Sequence, residues 1–588
     1  MLRSAAVRIA NSRVPSVRSL GLSQTGALLR PSARLFASPA GNQPHRNNNN
    51  NNNNAHDNHG DAEEGQNSTR LLMLASAAIF GPLFWKLTED HIKSGVVEQP
   101  KSKSVANSLV SKSVSTVSAA PVKKTDPVPR KQTAIPKVTY VLVGAGTASY
   151  SAIEAIREAE PNADILIIGD EDHVPYMRPP LSKELWFSPS SKPLAFNDWH
   201  GAERSLFYQE ESNYERVPDA EELLQPAKTK VRWLKSKVSK LDLDGQYVVL
   251  GNGDKIKYGK VLLATGATPN KLPVFEKLST QAKERVLTFR TLDDYEHLLS
   301  VANSGKTIAI VGGGFLGSEL AVALAQKAKK GAKINVVQIF PEEGNMSQVF
   351  PRYLTRWTTQ RIIDEGVQIK NSASITSVKE KGNKIVIGVS DQDTVEADYV
   401  VVAAGVSPNV EIAKASGLEI DSARGGIVVN AELEARHNVF VAGDASSFHD
   451  IALGRRRVEH YDHAINSGRQ VGENMTKTKR PYVHQPMFWS DLGPKIGYEA
   501  VGITESSLST IGIWAKGDDN GRGPAEQDPS KEDYGKGVVF YISKEKKIVG
   551  ILMWNIFGKA PVARKIISQG KTFEDIEGLA GLFNVHEQ

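Results

Sequence analysis

Two glycine clusters are the residues of this chain best suited to holding a phosphate ester. Gly312, Gly314 and Gly317 stand in "TIAIVGGGFLGSEL" (307–320), and Gly144 and Gly146 stand in "TYVLVGAGTASYSA" (139–152), with Ser149 at the third place. In both stretches an apolar β-branched run leads through the glycines into an apolar helical pattern. That order brings backbone N–H groups and the positive end of a helix dipole to the turn, where they bind a pyrophosphate. The first glycine permits the tight turn, the second lets the backbone approach the ligand, and the third allows close helix–strand packing. Ser149 is small enough to keep the third property. One such cluster is weak evidence, because many strand-to-helix turns use glycine structurally.

The strands that follow sharpen it. "ADILIIGDED" (163–172) ends on Asp170 and Glu171, and "INVVQIFPEE" (334–343) reaches Glu342, about 26–30 residues beyond the first glycine of each cluster. An acid there accepts hydrogen bonds from ribose hydroxyls. No arginine follows Phe340 directly, which favours NAD over NADP. Two dinucleotide units in one chain most economically mean a flavin and a nicotinamide meeting face to face. "VLLATGATP" (261–269) and "VVVAAGVSP" (400–408) look like crossings between the two units, and "NVFVAGDAS" (438–446) ends in Asp444, suited to a ribityl hydroxyl.

The elements that position these residues make an α/β protein with two Rossmann-like dinucleotide-binding domains. Its 588 residues, 40% hydrophobic and 23% charged, are ordinary for a soluble body with several cores. The formal charge of +6 is misleading: residues 1–136 hold 17 Lys/Arg against 8 Asp/Glu, and the rest holds 55 against 58. The basic character therefore belongs to the N-terminal region, and bulk charge says little about nucleic acid. Cysteine is absent. That excludes disulfides, thiolate metal sites and a cysteine relay. Electrons must leave a flavin directly, to a quinone, a dye, oxygen or a protein.

Residues 1–40 contain six arginines, seven serines and no acid, the composition of a mitochondrial transit peptide, against the alternative of a disordered basic tail. An Asn-rich segment at 41–70, with eight consecutive asparagines at 47–54, is too polar to fold. "LLMLASAAIFGPLFW" (71–85) is uncharged; extended to 87 it reads as a marginal inner-membrane anchor, short for the ~20 residues a span usually needs. A peripheral apolar patch is the alternative. Residues 88–136 read as a flexible linker.

Residues 137–588 also carry "PYMRPPLSKELWFS" (175–188), "GGGFLGSELA" (312–321), "LGRRRVEHYDHA" (453–464), "FWSDLGPKIGYEA" (488–500) and "EDYGKGVVFY" (532–541). On these strings the body resembles the apoptosis-inducing factor family, within the two-dinucleotide-binding flavoprotein disulfide reductases. The resemblance implies an FAD-binding domain (137–268 and 406–484), an NAD-binding domain (269–405) and an α+β C-terminal domain (485–588) with a mobile loop at 515–537. It implies FAD contacts at Gly144, Ala145, Gly146, Thr147, Ala148, Asp170, Glu171, Arg178, Lys183, Val238, Arg290, Asp444, His460, Tyr461 and Trp489. For NAD(H) it implies Trp199, Gly313, Gly314, Phe315, Leu316, Glu342, Gly405, Glu459, His460, Trp489 and Glu499. Lys183, Glu319, Phe315 and His460 are the residues expected at the chemistry. Taken singly, Lys183 reads as a solvated helix residue, Glu319 as an ordinary helix acid, His460 as a backbone cap and Trp489 as core. Gln348 and Tyr461 depart from the family pattern, which has lysine and histidine there.

The resemblance further implies an NADH oxidoreductase whose reduced form dimerises and docks the intermembrane-space disulfide-import oxidoreductase in support of respiratory-complex biogenesis. After release it implies nuclear entry, sequence-independent DNA binding and cell death; "SKEKK" (543–547) is a weak basic patch for that. A redox-sensing interaction protein with little turnover is the competing reading, as is a quinone or small-acceptor reductase without a death role.

Overall fold

The computed structural model describes residues 134–585, apart from 188–191, 199–200, 227–229, 304, 391, 494 and 516–533, together with a strand at Arg8–Ala10. Three sheets organise it. The first runs Glu434–Arg436, Val439–Val441, Lys255–Leu263, Lys137–Val143, Ile165–Gly169, Val231–Lys235 and Tyr214–Val217 in spatial order. Lys137–Val143 lies parallel to both Lys255–Leu263 and Ile165–Gly169. Such central strands are covered on both faces, which explains why "YVLV" and "ILII" are unbroken apolar runs rather than alternating ones.

The second sheet is a parallel set in the order Val286–Thr288, Tyr399–Val402, Thr307–Val311, Asn335–Ile339 and Gln368–Lys370. Its Phe315–Lys329 helix is buried over Gly317–Ala325. Leu320 and Leu324 are fully buried there, each burial stabilising by about 1.5–3 kcal/mol. Between the two sheets the chain crosses twice. Ala267–Pro269 and Val406–Pro408 run antiparallel, with Ala267 opposite Pro408.

The third sheet is antiparallel and C-terminal, in the order Ser509–Trp514, Gly537–Ile542, Ile548–Trp554, Gly497–Gly502 and Met487–Asp491. The Ala560–Ser568 helix packs on it. Its face toward the second unit is aromatic: Tyr498 stacks on Trp554 at 5.5 Å, and Phe350 meets both rings edge-on at 5.1 and 5.4 Å. Within the segment read as a transit peptide, Arg8–Ala10 extends the outer edge of this sheet by pairing antiparallel with Thr510–Gly512. The remainder of 1–40, the Asn-rich segment, the expected anchor at 71–87 and the linker to 133 lie outside the described residues, as does loop 516–533. Among the described residues no helix is long and apolar enough to cross a membrane.

Candidate functional site

The two glycine turns have the same geometry. Gly144 has φ +110°, and a Cβ there would lie 2.2 Å from the Ala264 carbonyl oxygen; Gly312 has φ +130° and would meet the Ala403 carbonyl oxygen at the same 2.2 Å. Only glycine fits either place. At the second position the opposite holds. A methyl added at Gly146 or Gly314, the residues that precede the Thr147–Ala159 and Phe315–Lys329 helices, would meet nothing within 4 Å. The backbone is therefore open where a pyrophosphate approaches, and both turns fit a dinucleotide. At the third position Gly317 sits where a Cβ would be 2.2 Å from Gly312 O. Ser149 instead is fully buried and donates its hydroxyl to Gly144 O at 2.6 Å. Ala145 packs against the first core, and Thr147 and Ala148 are buried on the first helical turn.

The acids at the strand ends differ in partners. Glu171 accepts from Arg178 at 2.5 Å and from the Tyr176 hydroxyl at 2.6 Å, while Asp170 is exposed. Arg178 also donates to Arg290 O, and Arg290 in turn pairs with Asp444 at 2.7 Å. In the second unit Glu342 meets the Gln348 amide at 3.5 Å. Two arginines do stand nearby, Arg352 and Arg356, but both are held by Glu343. Gly405, at φ +77°, lies at the crossing, where its carbonyl accepts from Asn270 N.

On the helix that follows the second glycine turn lies a buried ion pair with the first unit. Lys183, at the end of the Pro179–Ser182 turn, is 6% exposed, and its ammonium lies 3.0 Å from Glu319 Oε2; Glu319 is 5% exposed on the second unit's helix. Burial opposes the ammonium, yet the carboxylates of Glu319 and Glu184 outweigh it and hold the lysine above its ordinary pKa. Two hydroxyls complete the Glu319 carboxylate, Ser182 at 2.6 Å and Ser490 at 2.5 Å. Sequence reasoning missed both serines, although each adjoins a quoted residue. Asp491, next to Ser490, is pushed up to about 7 by burial and by Glu184.

Aromatic rings line the approach. Phe315 meets Phe488 edge-on at 5.1 Å, Phe488 lies 4.9 Å from the His460 ring, and Tyr461 meets Trp489 edge-on at 5.6 Å. His460 is pushed down to about 3 by burial, with Arg456 and His463 adding to the effect. It is a neutral imidazole whose Nδ1 has no hydrogen-bond partner among the described residues. Glu499 is 2% exposed, pushed up to about 7 by burial, and its Oε2 also lacks a partner there. Such buried, unsatisfied groups suit a polar ligand. Tyr461 hydrogen-bonds with the Tyr208 hydroxyl at 3.2 Å, which meets Thr147 Oγ1 at 3.0 Å.

Leu316 packs at the helix start against the second core, while Gly313 abuts Phe340. Val238 belongs to a side strand, and Glu459 is exposed and turned to Arg457 at 2.6 Å. Trp199 lies outside the described residues. Also missed was the helix seam beneath the first turn. Methyls at Gly468 and Gly472 would fall 2.2 Å from Ala148 O and 2.5 Å from Ala152 O, so these glycines let the Tyr461–Thr476 helix press onto Thr147–Ala159.

Comparison with known proteins agrees with this geometry. Residues 138–468 match the pyridine nucleotide-disulphide oxidoreductase family, and 471–528 with 519–569 match the C-terminal domain of mitochondrion-associated apoptosis-inducing factor. The putative mitochondrial apoptosis-inducing factor 1 of Drosophila melanogaster is 40% identical over 87% of this chain and 73% of its own length. That of Dictyostelium discoideum is 40% identical over 76% of this chain and 81% of its own. A solved ferredoxin reductase of the CYP199A2 system from Rhodopseudomonas palustris superposes with a TM-score of 0.56 at 26% identity, covering 75% of this chain and 99% of that one.

Proposed function

Since this chain belongs to the apoptosis-inducing factor family of FAD-dependent NAD(P)H oxidoreductases, we propose that it acts in mitochondria as an NADH oxidoreductase whose flavin takes hydride beside Lys183. FAD supplies the two-electron acceptor, and NADH the hydride. The Gly144–Ala148 turn binds the pyrophosphate of the first dinucleotide, with Asp170 or Glu171, Arg178 and Val238 around its adenosine half and Arg290 and Asp444 along its flavin half. The Gly313–Leu316 turn binds the second, with Glu342 on the adenosine ribose and Gly405, Glu459, Glu499, Trp199 and Trp489 toward the nicotinamide. Phe315, His460 and Tyr461 close the site against water.

One observation carries this reading: a cation from the first unit buried against a carboxylate on the helix that follows the second glycine turn. With FAD bound, the preorganised Lys183 ammonium would stabilise the negative charge of hydride acceptance more in the transition state than before it. Glu319 orients the ammonium and keeps it protonated. Anaerobic addition of NADH, followed through flavin absorbance and then reoxidation by quinone, dye, oxygen or ferredoxin, tests the reading. A flavin that NADH leaves oxidised would end it.

We further propose that the reduced form dimerises, docks the intermembrane-space disulfide-import oxidoreductase and supports respiratory-complex biogenesis. The protein is tethered to the inner membrane through 71–87, and on release it enters the nucleus, binds DNA and promotes death. The names of the two relatives support the mitochondrial and death-related parts. Sedimentation with and without NADH tests dimerisation. Salt-dependent retention on DNA, lost when Lys544, Lys546 and Lys547 are neutralised, tests the last step. Slow oxidation with a long-lived reduced dimer would favour the sensor reading over turnover.

A further inference from the structure

Glu319 is a side chain at which hydrogen bonds from all three units of the protein meet. It stands on the Phe315–Lys329 helix of the nicotinamide unit. Its Oε2 receives both donors that come from the flavin unit, Ser182 Oγ at 2.6 Å and Lys183 Nζ at 3.0 Å. Its Oε1 receives Ser490 Oγ at 2.5 Å, from the Met487–Asp491 strand of the C-terminal sheet. Ser490 is fully buried, and no other donor to Oε1 is found among the described residues. Rotation about Cγ–Cδ moves both oxygens, so the donor on Oε1 adds a second anchor to the two on Oε2 and narrows how Oε2 presents itself to the ammonium.

We infer that Ser490 is a positioning residue for hydride acceptance: the C-terminal domain, by one hydroxyl, sets the orientation of Glu319 and through it the Lys183 ammonium. This rests on the reading given above for Lys183 and Glu319. It gives the C-terminal domain a part in holding the ion pair, beside the Trp489 and Glu499 already placed toward the nicotinamide. Ser490 touches neither dinucleotide in this scheme, so its loss acts on the rate of the hydride step and not on nucleotide affinity.

The test uses the full chain loaded with FAD. Ser490→Ala is expected to retain flavin, to slow limiting flavin reduction by NADH about tenfold and to leave the half-saturating NADH concentration unchanged. The flavin midpoint potential is expected to fall, since the reduced, more negative ring loses stabilisation. Ser490→Thr, which restores the hydroxyl, is expected to recover rate and potential, which separates the effect from a packing defect. In a Glu319→Ala background Ser490→Ala should add nothing. Flavin-free protein gives an independent arm: unfolding of Ser490→Ala, Glu319→Gln and the double variant should be non-additive. A wild-type rate and potential in Ser490→Ala, equal slowing with and without Glu319, or an additive unfolding cycle would each overturn the inference. A wild-type rate in Lys183→Ala overturns instead the reading beneath it, and the inference then falls with it as a statement about hydride transfer.

Discussion

Lys183 and Glu319 lie 136 residues apart in the chain and 3.0 Å apart in the structure. The ammonium cannot be moved without stranding a buried carboxylate, so the two act as a unit. Lys183→Ala is expected to slow flavin reduction by about 10²–10³ with FAD still bound, the usual cost of one preorganised donor. Glu319→Ala should do nearly the same, and the double variant should fall well short of the product. Stopped-flow reduction at saturating NADH measures all three.

Nucleotide choice should depend on Glu342. Among the described residues the one side-chain hydrogen bond found for its carboxylate is from the Gln348 amide, at 3.5 Å, while Arg352 and Arg356 are taken up by Glu343. A 2′-phosphate arriving there meets like charge. Glu342→Ala is expected to weaken NADH about tenfold and narrow its advantage over NADPH. Equal reduction of the wild-type flavin by both nucleotides would show that the residue selects nothing.

Gly146 and Gly468 make opposite predictions, because one faces open space and the other a carbonyl 2.2 Å away. Gly146→Ala should fold with wild-type stability as apoprotein yet bind FAD weakly. Gly468→Ala should force two helices apart and lower apoprotein stability by about 1–3 kcal/mol. Gly314→Ala repeats the first pattern for NADH, leaving FAD in place. Thermal unfolding of apoprotein beside dinucleotide titration distinguishes them.

Glu499 gives a pH dependence whose sign follows from burial. Its carboxyl is held at about 7 in the fold against an ordinary 4.5, so the folded state keeps a proton that the unfolded chain releases. Stability then falls as pH rises from about 4.5 to about 7 and is flat on either side of that window. Glu499→Gln should lose this contribution, on the order of a few kcal/mol, and unfold less pH-dependently. Parallel slopes for the two proteins would refute the assignment.

The tethering reading expects residues 1–100 to be dispensable for folding. A chain beginning at residue 101 should load FAD stoichiometrically and reduce with NADH at the full-length rate. Failure to bind flavin would defeat it.

The α/β fold is legible in the sequence because its signals are local. Turn glycines, the β-branched runs before them and the acids one strand later all fall within about thirty residues, and a parallel sheet covered on both faces writes itself as apolar runs. The site is legible only in part. Lys183 and Glu319 have no local signature, since nothing in "LSKE" or "GSEL" tells that the two meet; resemblance alone pairs them. Ser490, Gly468 and the tie of Asp462 to His484 and Arg564 escaped for the same reason. Each is a contact across elements distant in the chain, where residue type fixes possibility and packing fixes identity. Arg352 and Arg356 show the reverse: bases stand close to the strand end that carries Glu342 after all, and their ion pairs to Glu343 show that they are occupied there.

The paired strands Ala267–Pro269 and Val406–Pro408 bring the two ends of the nicotinamide unit side by side. In connectivity that unit is a cassette, with an entry and an exit close enough to be joined by a short linker. In packing it is not one. Phe350, Trp357 and Tyr353 lie against Tyr498, Trp554 and Trp514 of the C-terminal sheet and against Tyr534 just before one of its strands. Excision would leave that wall of rings facing water. That face of the cassette is therefore completed only by residues that come later in the chain, so its folding is tied to theirs.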